Sequence, residues 1–168
     1  MKRSQQKDLH TISLLVANKP GVLVRIALVF ARRGFNLESL VVSSTVDPRF
    51  SRMTITAKGN PETLDQIIKQ ASKLVDVLQA GEHTKAESIE KEMALLKIRY
   101  TLQLKSSIEK LLHRFHAHLI DATDNTVIIE QTGSSDELDE LEEELKKYSI
   151  IEMVRTGKIA MVRGKEST

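Results

Sequence analysis

The chain contains no cysteine and no tryptophan. Without cysteine there are no disulfides, thiolate nucleophiles or cysteine metal sites, which fits a reducing compartment. Aromatic residues make up only 4% of the chain, too few for the platforms on which unpaired bases stack. No apolar run is long enough to span a bilayer, and the polar start MKRSQQKD lacks the apolar core of a signal peptide. Those first residues read as a frayed tail on a cytoplasmic protein. Charge of one sign is also scarce: 25 basic against 23 acidic residues leave +2, so neither nucleic acid nor a membrane is an expected partner. There is no Walker loop, no G-x-G-x-x-G, no metalloprotease motif and no nucleophile elbow. No nucleophile, base and orienting group stand at a usable spacing, so nothing in spacing alone argues for catalysis.

What is present is a regular alternation of strand and helix patterns. At 40% hydrophobic and 29% charged residues over 168 positions, the chain has the balance of one medium or two small folded domains. Ile12, Leu14 and Val16 alternate within His10–Val16 and predict a first strand. In ANKPGVLVRIALVFARRGFNLESL, Asn18 is an expected helix cap and Pro20 suits a first turn. Val22, Leu23, Ile26, Ala27, Val29 and Phe30 make an apolar helix face, Arg32 and Arg33 suit the last turn, and Gly34 is the stop. Strands follow at Asn36–Val46 and Phe50–Ala57, joined at Asp47-Pro48. Leu64, Ile67, Ile68 and Ala71 have helical spacing after Asn60-Pro61, and Leu74–Leu78 reads as a fourth strand.

After the polar stretch GEHTKAESIEKE the pattern restarts. Met93–Tyr100 is an expected strand, and Ile108, Leu111, Leu112 and Phe115 form a helical stripe. Leu119–Ala122 and Val127–Gln131 flank a turn at Asp124-Asn125. Ser134 and Glu137 have capping-box spacing ahead of a stripe of Leu138, Leu141, Leu145 and Tyr148. Ile150–Val154 is the last strand, and Lys158 onwards is a tail with room for a short extended segment. The expected fold class is α+β: two tandem ferredoxin-like βαββαβ units at 8–80 and 93–164, a linker at 81–92, and a tail at 165–168.

The entrance to the first helix carries the chemistry. Gly21 has no Cβ, so a ligand can approach the backbone there, and the free N–H groups of a first turn favour a carboxylate. An ordinary tight turn before a capped helix needs the same residues. His113, His116 and His118 lie close together, but no Asp, Glu or Cys in that segment completes a metal spacing, so no metal site is expected. The acidic run DELDELEEELKK has its leucines on one face and reads as the wet side of a helix.

The stretches NKPGVL, FARRGFNLESL, FSRMTI, QIIKQASKLVDV, EKEMALLKIR and MVRTGKIAMVRG resemble the small, regulatory subunit of acetolactate synthase. The likeness runs from about Leu9 to Gly164. It departs from the family pattern at Phe50, where leucine is usual, at Val24, where many members carry serine, and at Ala117, where glycine is common. The resemblance implies that the first unit is an ACT domain that pairs with a second copy into a homodimer. It implies feedback inhibition by valine bound at that interface, received by Asn18, Gly21, Val22 and Leu23 and reached from the neighbouring protomer by Asn36. It also implies a partner, the large catalytic subunit, which this chain activates. Thiamine diphosphate, Mg and FAD are expected on that partner, and no cofactor on this chain. A free-standing amino-acid-responsive regulator of transcription is the alternative, and neither half shows the helix-turn-helix pattern it would need.

Overall fold

The computed structural model describes residues 9–84, 86–165 and 168. The expected frayed start and part of the expected tail lie outside the described residues. The elements run β1 (Leu9–Ala17), α1 (Val22–Ala31), β2 (Leu37–Ser44), β3 (Phe50–Lys58), α2 (Pro61–Ala71) and β4 (Val77–His83). They continue as β5 (Ser88–Arg99), α3 (Lys105–Phe115), β6 (His118–Ala122), β7 (Thr126–Gly133), α4 (Ser135–Leu145), β8 (Ile150–Arg155) and β9 (Ile159–Val162). Two antiparallel sheets result, ordered β2-β3-β1-β4 and β6-β7-β5-β8, with β9 also paired to β5. Each four-stranded order is that of a ferredoxin-like βαββαβ unit, so the fold is α+β with two such units in tandem.

In the first unit, alternation on β1 sends Ile12, Leu14 and Val16 to the helix-covered face. There they join Met53, Ile55 and Ala57 of β3, Val22, Ile26 and Phe30 of α1, and Leu64, Ile67 and Ala71 of α2. In the second unit Ala94, Leu96 and Ile98 of β5 and Val127 and Ile129 of β7 meet Ile108 and Leu111 of α3 and Leu138, Leu141 and Leu145 of α4. The stripes expected from sequence are therefore largely the buried faces. Leu23 is the exception on α1, 43% exposed.

Helix ends follow local chemistry. Asn60 accepts from the Glu62 N–H, with Pro61 at the first helical position. Ser134 and Glu137 form the reciprocal capping box. Gly34, at φ +71°, ends α1 with its N–H on Ala31 O and the Phe35 N–H on Phe30 O, the paired bonds of a Schellman motif. Arg32 and Arg33 stand at and past the end of α1 rather than in its last turn.

Two expected boundaries move. The fourth strand is Val77–His83 and not Leu74–Leu78, because Leu74 packs on the core from the turn after α2. The stretch 81–92 is not an extended linker. Gly81–His83 belong to β4 and Ser88–Glu92 to β5, leaving a turn closed by Glu87 and Ser88 N–H bonds to Thr84 O. Compactness divides the chain between Glu90 and Lys91, within β5, and returns Gly157 onwards to the first unit.

Candidate functional site

The site is built at the β1–α1 connection. Pro20 presets φ and Gly21 supplies the left-handed residue, φ +83° and ψ −12°, so Lys19-Pro20-Gly21-Val22 is a type II turn closed by the Val22 N–H on Lys19 O at 3.4 Å. Gly21, not Asn18, is thus the residue that caps α1, and no side chain caps it. The first intrahelical bond runs from the Arg25 N–H to Gly21 O at 3.1 Å. The N–H groups of Leu23 and Val24 precede it and point out of the helix start, where the dipole favours negative charge.

Long-range bonds hold this loop. The Ala17 N–H donates to Asp76 O at 2.8 Å and the Asn18 N–H to Arg49 O at 2.7 Å. Asn18 Nδ2 donates to Pro48 O at 3.0 Å, which leaves Oδ1 as the acceptor end of an exposed side chain. The β2–β3 turn that receives Asn18 is itself stiffened: Arg49 donates to both oxygens of Asp47, Nε to Oδ1 and Nη2 to Oδ2. Those bonds hold the Asp47 carboxyl below its usual range. Sequence reasoning missed Arg25 and Asp76. Arg25 Nη2 lies 2.5 Å from Asp76 Oδ2, and a Cβ on Gly21 would stand 3.1 Å from Arg25 Nη1. Arg25 was findable one turn beyond Gly21; Asp76 is distant in sequence and carried no local signal.

The expected ligand residues separate into two groups. Asn18, Gly21, Val22 and Leu23 come together. Val22 turns its side chain into the core, 3% exposed, while Leu23 and Val24 are 43% and 61% exposed; only the latter two offer apolar surface beside the loop. Asn36 precedes β2 at the other end of the sheet, where Leu37 is level with Ala57 and His10. Within one chain it is about 24 Å of strand away from the Ala17 end of β1. Its Nδ2 donates to Glu38 Oε1 at 3.4 Å. His113 and His116 close α3, with His116 in the left-handed region at φ 52°. No group of three or more metal-ligating side chains stands together among the described residues, and no described helix is long and apolar enough to cross a membrane.

The first βαββαβ unit is an ACT domain: residues 12–79 match the model of the AHAS small subunit-like ACT domain. Residues 91–164 match the model for the small subunit of acetolactate synthase. The chain belongs to the family of acetolactate synthase small subunits, the regulatory subunits of that enzyme. It is 42% identical to the probable acetolactate synthase small subunit of Archaeoglobus fulgidus over 92% of this chain and 97% of that one. It is 37% identical to the acetolactate synthase small subunit of Mycolicibacterium smegmatis over 92% and 91% of the two chains. The crystal structure of the acetolactate synthase small subunit from Thermotoga maritima superposes with a TM-score of 0.85 at 38% identity, covering 94% of this chain and 99% of that one.

Proposed function

We propose that this chain is a non-catalytic allosteric subunit that binds valine between two paired ACT domains and passes the binding energy to the large catalytic subunit. The observation that carries the reading is the Pro20-Gly21 turn. It turns the start of α1 towards solvent beside Asn18 and Arg25, with Leu23 and Val24 exposed alongside. The amino acid's carboxylate meets the free N–H groups of the helix start, and asparagine oxygens accept from its ammonium. Leu23 and Val24 flank the isopropyl group. Asn36 completes the pocket only from a second copy, which agrees with its place at the far end of the sheet. Free of valine, the subunit raises the activity of its partner; valine shifts the pair to the extent that it binds their states unequally. Thiamine diphosphate, Mg and FAD reside on the partner, and the assembly works in the cytoplasm.

The test is to mix the chain with the large subunit and follow acetolactate formation against added valine, leucine and isoleucine. Activation by the chain and selective inhibition by valine are expected. Unchanged activity with and without the chain would refute the reading.

A further inference from the structure

The first sheet has a second face, turned away from α1 and α2, and it is polar. Register across the four strands sets three rows on it. Ser39, Thr56, Thr11 and His83 form one row; Val41, Thr54, Ser13 and Gly81 the next; Ser43, Arg52, Leu15 and Gln79 the third. A polar sheet face normally belongs to solvent, yet Thr11, Ser13, Thr54 and Thr56 are only 2–4% exposed. Part of the cover is the segment between β8 and β9. A Cβ on Gly157 would fall 2.6 Å from Ser39 Cβ, and beside it Lys158 and Glu90 form an ion pair at 2.9 Å with both side chains 11% exposed.

Five buried polar atoms on this face lack a hydrogen-bond partner among the described residues: Ser13 Oγ, Ser39 Oγ, Arg52 Nη1, Thr56 Oγ1 and His83 Nε2. Buried polar groups are otherwise almost always paired. Arg52 is the informative member because a guanidinium only donates. Burial lowers its pKa, and no carboxylate among the described residues opposes that shift. The acids that act on His83 are engaged elsewhere: Glu90 with Lys158, Glu82 with His10 and Glu87 with Thr84. Space lies next to Ser13, where a Cβ on Gly81 would meet nothing within 4 Å. Arg52 stands one row along and, with β1 between β3 and β4, two strands across from Gly81, and its positive charge acts on His83 of the same edge strand as Gly81, so its guanidinium lies on this face within electrostatic range of the gap.

We propose that this face binds a small oxyanion over Gly81, held by Arg52, Ser13 and His83 and flanked by the hydroxyls of Thr56 and Ser39. Only an acceptor with several oxygens answers a guanidinium, hydroxyls and an imidazole together. A carboxylate and a phosphate share that chemistry. The site lies on the sheet face opposite α1, so it is separate from the proposed valine pocket.

The test is calorimetric titration of the full chain in chloride buffer with inorganic phosphate and, separately, with acetate. Saturable binding of either at one site per chain is expected, and the tighter of the two tells phosphate from carboxylate. Arg52→Gln is expected to weaken it at least tenfold. Gly81→Val, which fills the gap and keeps the arginine, is expected to do the same. Both variants should retain whatever heat valine gives with the wild type, so failure here and failure of the valine reading are distinguishable. If Arg52→Gln does not fold, Ser13→Ala and Gly81→Val carry the test. No binding of either anion at millimolar concentration, or unaltered binding by the folded variants, would overturn the proposal.

Discussion

At the scale of single residues, Gly21 decides most. Its φ of +83° costs a side chain about 1 kcal/mol or more, and it borders Arg25. Gly21→Asp adds a carboxylate where the ligand's own would sit, within reach of the Arg25 guanidinium. It should keep the fold and weaken valine binding at least tenfold, read by calorimetry and by loss of inhibition in the coupled assay. Asn36→Ala should weaken valine binding several-fold while the chain still activates its partner, because among the described residues that side chain bonds only to Glu38. Full inhibition by valine in both variants would move the site elsewhere.

At the scale of elements, polar contacts set what apolar stripes leave open. Ser134→Ala removes one half of the α4 capping box and should cost about 1 kcal/mol in urea unfolding. Arg155 of β8 bridges Glu92 of β5, whose side chain is 5% exposed, and Asp139 of α4 at 2.5 Å. Arg155→Met leaves a buried carboxylate unpaired and should cost about 3 kcal/mol. Adding Glu92→Gln should recover part of that loss. Equal and additive losses would show that the bridge does not couple the strands. The same pair explains why the start of β5 was illegible as a strand. Glu92 is charged and Ser88 polar, so hydropathy reads them as wet, but an ion pair and a bond to Thr84 O let them be buried.

At the scale of the whole molecule, stability should respond to pH in two stages. Burial, then the positive charge of Arg52, lowers the pKa of His83, and Glu87, Glu90 and Glu82 oppose this only in part. The folded chain therefore resists a proton that the unfolded chain accepts near pH 6.5, and stability falls as pH drops through that value. Below about pH 4.5 a second loss follows. Hydrogen bonds hold Glu137 and Glu144 below their ordinary range, through Ser134 and Lys147 first, so their contribution disappears as they protonate. Urea midpoints between pH 8 and pH 3 check both stages, and His83→Gln should remove the first alone. The sequence by itself determined the two βαββαβ units, their helix stripes, the caps at Asn60 and Ser134, and the glycine turn at the first helix, because periodicity, caps and turn residues act between near neighbours in the chain. Only the tertiary structure decided that β4 and β5 extend through a polar stretch, that Asp76 and Pro48 hold the β1–α1 loop, and that Arg52 and His83 share a buried face. Those outcomes depend on strand register and on ion pairs between residues far apart in sequence, which no local pattern records.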